Sequence, residues 1–263
     1  MKALNATLRL QFHAGFTLDD ALPLVPYFAR LGITHVYASP LLTARPGSRH
    51  GYDVIDPTRI NPELGGEGAL IRLVAALHLH DMGLILDIVS NHMAVGSDNP
   101  WWQDLLAWGR DSRYAGFFDI QWHSSDPLLE GQLLLPFLAN DYGAALQAGD
   151  TPLCFEARDG SFQVHHHEHR FPICPRDYGH ILGLSEHPSA HALAKRFAAV
   201  HDASEVRALQ QELAALAGKI SIDDLLEAFD ARTPTGFERL HALLERQAYR
   251  LASWRTAADD INW

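Results

Sequence analysis

The stretch Gly83-Leu-Ile-Leu-Asp-Ile-Val-Ser-Asn-His92 decides how the chain is interpreted. Apart from Asp87, the six residues after Gly83 are all apolar, which predicts a central strand covered on both faces. A carboxylate on a buried strand is costly unless it is paired or used, so Asp87 is either a hydrogen-bond hub or a site residue. The polar triplet Ser90–His92 follows the strand's C-terminal end, where α/β folds place their ligands.

Two further strands and a helix are predicted upstream of this stretch. Residues 6–12 alternate in polarity like a strand, and residues 33–39 are rich in β-branched and aromatic side chains. Between them, Thr17–Asp20 has the pattern of a capping box. We expect it to open a helix toward Leu31, with a kink or a late start at Pro26.

A long polar loop, residues 40–66, is predicted before the next helix. Gly83 should close that helix, whose apolar face has helical spacing at Leu70, Leu73, Val74 and Leu77. The first 92 residues thus run strand, helix, strand, loop, helix, strand. This order predicts parallel strands joined by right-handed helical crossovers, with exposed edges at the first and third strands.

The pattern changes after residue 92. Scattered aromatic residues and turns occupy residues 93–176, and the chain is mostly helical from Ser189 onward. Further helices are indicated by an apolar face and by starts at Ser221–Asp224 and Thr235–Glu238; the face consists of Val206, Leu209, Leu213 and Leu216. A closed eight-stranded barrel needs roughly 200–250 residues, but here the first 92 residues supply only three strands and the rest has the character of an insertion. The fold is therefore either a smaller open sheet or part of a longer protein.

Composition excludes several classes of function. The formal net charge is −11 without a run of Lys or Arg, which argues against a general nucleic-acid surface. We expect no membrane span and no signal peptide, because no long apolar run and no suitable N-terminus is present. Only Cys154 and Cys174 are found, which fits a reducing cytoplasm and leaves a disulfide between them open.

The segment His50-Gly-Tyr-Asp-Val-Ile-Asp-Pro57 carries the residue types that sugar recognition needs. Tyr52 offers a flat ring with a hydroxyl, and His50 and Asp53 offer hydrogen bonds. The alternative interpretation is a turn around a buried tyrosine. Asp53 and Asp87 as a glycosidase pair would have to lie about 5–5.5 Å or 6.5–9.5 Å apart, and we do not favour that pairing.

Two other clusters admit a functional and a structural interpretation. In a strand, alternate residues of His165-His-His-Glu-His169 could converge on a metal, but a polar exposed strand is favoured and no metal is predicted. Tryptophans could stack on sugars, although packing is favoured for them as well; they are Trp101, Trp102, Trp108 and Trp122.

Taken together, these residues resemble a known family. Asp87–His92 resembles the first sequence region of the α-amylase superfamily (glycoside hydrolase family 13), and His50–Tyr52 lies where that superfamily has its sugar-stacking tyrosine. More specifically, the chain resembles the maltooligosyl trehalose synthase family almost end to end. The segments that carry this resemblance are 8–12, 37–40, 43–48, 50–57, 61–66, 98–102, 114–119, 169–172, Trp254–Arg255 and Ile261–Asn262.

The resemblance implies an incomplete (β/α)8 TIM barrel in an α/β fold. Residues 1–92 would supply the first three βα units, residues 93–250 a large mixed and helical subdomain inserted after strand 3, and residues 251–263 a return toward strand 4. The implied reaction isomerises the reducing-end α-1,4 link of a maltooligosaccharide to an α,α-1,1 link. It is a retaining, intramolecular transglycosylation in trehalose biosynthesis.

The resemblance also implies roles for individual residues. Tyr52 would stack under the sugar before the scissile bond, His92 would donate to its 6-hydroxyl, and His50 would line the same subsite. An orienting role falls to Asp53, Asp87 and Asn91. The catalytic carboxylates are expected after Trp263, on later strands of the barrel, so no catalytic residue is predicted within the chain.

The sequence departs from the family at two positions in these motifs. Leu8 replaces a tyrosine before Arg9, and Ser90 replaces a proline, which should loosen that turn slightly. We predict no cofactor. The expected partners are a maltooligosaccharide and the remainder of the chain's own barrel. A hydrolytic α-amylase relative and a truncated carbohydrate-binding module remain alternatives.

Overall fold

The computed structural model describes residues 3–200 and 203–256. The chain divides into two compact units, Met1–Trp101 (unit 1) and Trp102–Trp263 (unit 2), and each unit has its own hydrophobic core. One helix, α4, contains the boundary between them in its first turn and spans Pro100–Trp108.

The predicted division into barrel strands, inserted subdomain and return segment remains a prediction. The motif residues Ile261 and Asn262 lie outside the described residues, as does most of the predicted return, 251–263.

Unit 1 combines a parallel sheet, a short hairpin and helices. Its strands are β1 (Thr7–Leu10), β2 (His35–Ala38), β3 (Leu42–Ala44), β4 (Val54–Ile60) and β5 (Gly83–Leu86). Its helices are α1 (Leu18–Ala21), α2 (Val25–Arg30) and α3 (Gly66–Leu79), with 3-10 turns at Leu22–Leu24 and Pro62–Leu64.

Strands β1, β2 and β5 are parallel and lie in that order. In register, Arg9 lies opposite Tyr37 and Tyr37 opposite Ile85. The outer strands of the described sheet are β1 and β5, which agrees with the predicted edges. Because all strands of a parallel sheet point the same way, the segments that follow β1, β2 and β5 emerge at one edge.

The two faces of this sheet differ in character. Val36 and Ala38 are fully buried against the helices, where Leu73 and Leu77 complete the core of unit 1. Side chains alternate along a strand, so Tyr37 and its cross-strand neighbours project from the opposite face. That opposite face carries the polar groups described below.

The predicted central, fully covered strand is wrong in two respects. β5 ends at Leu86, and it pairs only with β2 among the described residues, so its side chains are half-buried or exposed. Asp87 lies just past the strand, where its backbone N–H donates to the Ala38 carbonyl at 3.1 Å. The apolar Ile88 is 70% exposed, which shows that the apolar run extends beyond the strand.

The predicted loop at residues 40–66 contains an antiparallel hairpin, β3–β4. Its register shifts on both sides of Thr43, since Leu42 pairs with Ile60 and Thr43 with Asp56. Pro57 lies within the extra residues of β4, and proline in a strand is confined to such irregular or edge positions. The segment was predicted as a loop because of its Gly and Pro content, but it contains the strand β4.

The first helical segment begins with the predicted capping box. The Thr17 hydroxyl accepts from the Asp20 N–H at 3.3 Å, and Asp20 accepts from the Thr17 N–H at 2.8 Å. An interruption occurs, but not at Pro26 as predicted: it is a 3-10 turn at Leu22–Leu24 that contains Pro23. Pro26 lies in the first turn of α2, where a proline is tolerated.

Helix α3 ends at Leu79, four residues before the glycine expected to close it. Gly83 instead opens β5, and a Cβ there would lie 2.4 Å from the His35 ring. Close packing between neighbouring strands, not helix termination, therefore accounts for this glycine.

Unit 2 contains mixed sheets and several helices. Its strands are β6 (Leu133–Leu138), β7 (Leu153–Glu156), β8 (Ser161–His166), β9 (His169–Pro172) and β10 (Tyr249–Ser253). Its helices after α4 are α5 (Tyr142–Ala148), α6 (Tyr178–Leu182), α7 (Pro188–Ala198), α8 (Ala203–Leu216), α9 (Ile222–Glu227) and α10 (Pro234–Leu244), with 3-10 turns at Gly109–Asp111, Ala115–Phe117 and Pro175–Asp177.

Apart from the strand expected at His165–His169, the strands of unit 2 were not predicted individually. β6 and β10 form a parallel pair, and β7, β8 and β9 form an antiparallel sheet. Tyr178 is buried between Phe162 and Phe197, and its hydroxyl accepts from the Phe162 N–H at 3.0 Å. Burial raises the pKa of Tyr178 above its ordinary value.

The helices predicted in unit 2 are confirmed, except that one of them begins earlier than predicted. The predicted face of α8 is buried throughout. Ser221 caps α9, but α10 is capped by Thr233, two residues before the predicted start at Thr235. Pro234 at the first helical position explains the earlier start.

Both cysteines of the chain, Cys154 and Cys174, are free thiols. Burial raises the pKa of Cys174 to about 11. No helix within residues 3–200 and 203–256 has the length and apolar character needed to cross a bilayer.

Replacing Leu73 by Ala should destabilise unit 1 by about 2–5 kcal/mol, because it opens a cavity in a fully buried core. Ile71→Ala on the same helix is the matched control, since Ile71 is 62% exposed and should change stability by about 0.5 kcal/mol at most. Hydrogen exchange at the β1 and β2 amides measures the effect. Equal protection in the two variants would contradict the assigned core.

Candidate functional site

The polar face of the unit 1 sheet and the loops at its C-terminal edge form a connected cluster. Asp87, just past β5, accepts from the Tyr52 hydroxyl at 2.5 Å and from Arg9 Nη1 at 3.0 Å. Arg9 Nη2 also donates to the Tyr52 hydroxyl oxygen at 3.1 Å. Three groups from β1, the loop before β4 and the end of β5 therefore close a triangle of hydrogen bonds.

These contacts favour the charged form of both ionisable partners. Hydrogen bonds from Tyr52 and then from Arg9 lower the pKa of Asp87, with a smaller contribution from Tyr37. Asp87 and then Tyr52 raise the pKa of Arg9. The Asp87 side chain is only 16% exposed and is paired, which confirms the hydrogen-bond hub; its role as a site residue stays a prediction.

Tyr52 is presented by a tight turn. The Ser48 hydroxyl donates to Asp53 at 2.5 Å and accepts from the Gly51 N–H at 3.1 Å. Gly51 has φ = 78° and a Cβ there would lie 2.6 Å from the Pro40 carbonyl oxygen, so only glycine fits without strain. The turn leaves Tyr52 38% exposed, which contradicts the alternative of a buried tyrosine.

His50 belongs to the same turn. Its ring lies nearly parallel to the Tyr52 ring, with centroids 6.1 Å apart and planes 23° apart, and its Nδ1 accepts from the Tyr52 N–H at 3.1 Å. The same nitrogen lies 3.7 Å from an Asp53 carboxylate oxygen. His50 and Tyr52 thus present two neighbouring aromatic rings at the surface.

His92 approaches the turn from the segment after β5. Its Nε2 lies 3.1 Å from the Tyr52 carbonyl oxygen, and its Nδ1 lies 3.1 Å from Asn91 Oδ1. A carbonyl oxygen only accepts, so Nε2 carries the proton. Nδ1 of that tautomer is an acceptor, so it bonds to Asn91 only with the side-chain amide turned to present its NH2 group in place of Oδ1.

The structure therefore brings all six predicted site residues into one cluster. Each of the six contacts at least one other member of the set, which consists of His50, Tyr52, Asp53, Asp87, Asn91 and His92. Their roles toward a substrate remain predictions. Asp53 and Asp87 are each occupied by other partners, Ser48 for the first and Tyr52 with Arg9 for the second.

Sequence reasoning missed Arg9, Gln11 and Tyr37. Arg9 lies over the Tyr37 ring at 4.8 Å from its centroid, and Gln11 Nε2 donates to the Arg49 carbonyl at 2.9 Å. The available signal was alternation, because Arg9 and Gln11 occupy alternate positions of the predicted strand 6–12, between the apolar residues Leu8, Leu10 and Phe12.

The histidine-rich segment is a hairpin and not a single strand. β8 ends at His166 and β9 begins at His169, with His167 at φ = 51° in the turn, so the assumed alternation does not apply. His166 is 1% exposed and its Nδ1 lies 3.0 Å from the Asp150 carbonyl oxygen, which corrects the expected exposed strand. Within the described parts of the chain, no group of three His, Cys, Asp or Glu residues could hold a metal.

The tryptophans follow the packing interpretation where contacts are described. Trp102 is 9% exposed and packs against Phe118 at 5.5 Å between ring centroids. Trp108 lies under the Arg176 guanidinium.

Asp87→Asn should destabilise unit 1 by about 1–2 kcal/mol at pH 7, since it removes a charged acceptor of two hydrogen bonds. Because the folded state lowers the pKa of Asp87, the wild-type advantage is complete above the unfolded pKa, about 3.9. It disappears as pH falls through the lower folded pKa.

Urea unfolding across pH checks this prediction, with Asp81→Asn as the control. Asp81 forms no salt bridge with any residue of 3–200 or 203–256, and its φ of 54° suits asparagine. A pH-independent difference between Asp87→Asn and wild type would contradict the ion pair.

Known proteins similar to this chain were found at the level of family, sequence and fold. The model of the α-amylase catalytic domain matches residues 22–148. A protein of Mycobacterium tuberculosis assigned as a maltooligosyl trehalose synthase is 37% identical over 262 residues, which cover 94% of this chain and 33% of that protein. The intracellular maltogenic amylase of Bacillus subtilis is 36% identical over 106 residues, or 40% of this chain and 17% of that enzyme.

Solved structures give the same relationship. The maltooligosyltrehalose synthase of Arthrobacter ramosus matches with a TM-score of 0.62 and 32% identity, covering 96% of this chain and 24% of that one. Another maltooligosyl trehalose synthase matches with a TM-score of 0.64 and 28% identity over 96% of this chain and 26% of its own.

The chain thus spans about a third of the length of the curated relatives that it matches almost end to end. It has an α-amylase-type fold with mixed α/β content. The chain is a homologue of the maltooligosyl trehalose synthases of the α-amylase superfamily.

Proposed function

We propose that the chain forms the N-terminal part of a maltooligosyl trehalose synthase. Strands β1, β2 and β5 with their helices would be the first three βα units of a (β/α)8 barrel, and the segment from about residue 93 an inserted subdomain. The parallel order of these strands supports this assignment, as do relatives that are three to four times longer than the match. The remaining strands of the barrel would be the main partner of unit 1.

One observation carries the proposal: Tyr52, Asp87 and His92 meet at the C-terminal edge of parallel strands. In barrels of this type that edge is where substrate binds. The proposed substrate is a maltooligosaccharide, whose glucose rings have an apolar face that fits a flat aromatic ring and hydroxyls that need fixed polar partners.

Tyr52 is suited to hold one glucose ring. Its hydroxyl donates to Asp87 and accepts from Arg9, so contacts at the far end hold the long axis of the ring in place while the side chain is partly exposed. An aromatic side chain fixed in advance loses little conformational freedom when a sugar stacks on it.

His92 would bind a sugar hydroxyl through Nδ1 once Asn91 yields its contact. With Nε2–H donating to the Tyr52 carbonyl, neutral His92 accepts at Nδ1. In that tautomer Nδ1 would accept from the 6-hydroxyl, whereas the family resemblance implies a donation to it. His50, beside the Tyr52 ring, would line the same subsite.

The proposed reaction converts the reducing-end α-1,4 link into an α,α-1,1 link by intramolecular transglycosylation. Attack by a carboxylate nucleophile breaks the reducing-end link and forms a glycosyl-enzyme, and the acid protonates the glucose that leaves. The glucose then turns and attacks the same anomeric carbon through its own anomeric hydroxyl, which gives its proton to the base while the bond to the carboxylate breaks. We assign the nucleophile, the acid/base and the stabilising acid to barrel strands after Trp263. The residues of this chain would hold the glycosyl ring in place and help to keep water away during the exchange.

Tyr52→Ala should weaken binding of maltopentaose to the 263-residue chain about tenfold, because the stacking face is lost. Tyr27→Ala is the matched control, since Tyr27 is a 51% exposed tyrosine on α2 of the same unit. Isothermal titration calorimetry measures both affinities. Binding that tolerates Tyr52→Ala as well as Tyr27→Ala would exclude Tyr52 as the sugar platform.

The 263-residue chain alone should not turn over maltopentaose, because the proposal assigns the bond-breaking carboxylates to later strands. The native polypeptide, which should have an intact mass well above that of 263 residues, should remove reducing ends without releasing free glucose. A rise in reducing sugar would instead indicate a hydrolytic relative. Binding without turnover by a native polypeptide of only 263 residues would indicate a carbohydrate-binding module.

A further inference from the structure

We propose that Arg9 is a positioning residue of the sugar site, which acts by holding the Tyr52 hydroxyl and the Asp87 carboxylate in one fixed arrangement. This role rests on the proposed function, since it assumes that a sugar ring stacks on Tyr52. Arg9 lies on β1, far in sequence from both partners, and it was not among the predicted site residues.

The guanidinium uses two separate nitrogens for two separate tasks. Nη1 donates to Asp87 at 3.0 Å, and Nη2 donates to the Tyr52 hydroxyl at 3.1 Å. The Tyr52 hydroxyl in turn donates to Asp87 at 2.5 Å. A planar fork can serve both partners at once, whereas a lysine ammonium on a flexible stem acts as a single point charge.

Arg9 is itself held in place by contacts with Tyr37 and Gln11. Its guanidinium carbon lies 4.8 Å from the centroid of the Tyr37 ring, directly across the β1–β2 register. Gln11 Oε1 lies 3.5 Å from Nη2, and Gln11 Nε2 donates to the Arg49 carbonyl in the segment before Tyr52. The position of the guanidinium is thereby tied to the sheet and to the Tyr52 turn.

This arrangement sets the Tyr52 ring without covering it. Donor and acceptor roles of the hydroxyl are both used at the ring's far end, so the long axis of the ring cannot swing away without breaking two contacts. Asp87 stays ionised because the same two donors favour its charged form. Removing Arg9 would leave Tyr52 as the main donor to Asp87. The Tyr52 hydroxyl and the Asp87 carboxylate could then move together, because nothing on β1 would hold them.

The test compares Arg9→Met and Arg9→Lys with Arg72→Met in the full 263-residue chain. Arg72 forms a bidentate pair with Asp19 in the same unit, so its loss is a matched control for deleting an Arg–Asp pair. Carbon-13 NMR follows the carboxyl titration of Asp87 and the ring signals of Tyr52, and calorimetry follows maltopentaose binding.

In Arg9→Met we expect the Asp87 pKa to rise, the Tyr52 ring signals to shift, and maltopentaose binding to fall about tenfold, the effect of one lost hydrogen bond to a charged group. Arg9→Lys should retain much of the low Asp87 pKa but still lose sugar affinity, because an ammonium cannot replace the fork. Arg72→Met should change none of these signals.

A combined variant separates positioning from general stability. If Arg9 acts through the Tyr52 hydroxyl, then Arg9→Met should cost little additional sugar affinity in a Tyr52→Phe background. Fully additive losses, or unchanged Asp87 and Tyr52 signals in Arg9→Met, would overturn the proposal. If the wild-type chain binds no maltopentaose, the sugar-binding function fails, while the Asp87 and Tyr52 signals still decide whether Arg9 positions them.

Discussion

The parallel pairing of β1, β2 and β5 is the constraint on which the candidate site depends. It places Arg9 across from Tyr37 and brings Asp87, two residues beyond Ile85, onto the same polar face. Segments that follow parallel strands leave the sheet at one edge, so residues distant in sequence converge there. The helices on the other face bury Val36 and Ala38 and keep this pairing in place.

The cluster at this edge is organised by one acid and one cation. Asp87 is an acceptor only, and Arg9 is a donor only, so the Tyr52 hydroxyl between them can satisfy both. The contact of His92 with the Tyr52 carbonyl then joins the segment after β5 to the same turn. A single tyrosine therefore connects the β1 side of the sheet to the β5 side.

Much of this could be predicted from the sequence because the information was local. Alternation located β1, β-branched and aromatic residues located β2, and a capping box located α1. The short motifs around Tyr52 and His92 pointed to the candidate site residues. Other features depended on tertiary contacts. Arg9 looked like one polar residue of an alternating strand, and only cross-strand pairing shows that it reaches Asp87.

The misassigned elements have similar causes. Pro57 and nearby glycines suggested a loop, yet an irregular register accommodates the proline within β4. The histidine-rich segment lacks Gly or Pro at its turn, and His167 adopts a left-handed conformation that residue type does not reveal. The apolar run after Gly83 could not show by itself that only four residues pair with a neighbour.

The most direct test of the account is an NMR measurement of intermolecular nuclear Overhauser effects between the chain and bound maltopentaose. We expect contacts from glucose ring protons to the Tyr52 ring, accompanied by contacts to His92. Sugar contacts confined to aromatic residues of unit 2, such as Trp108, would contradict the assignment of the site to the edge of the parallel sheet.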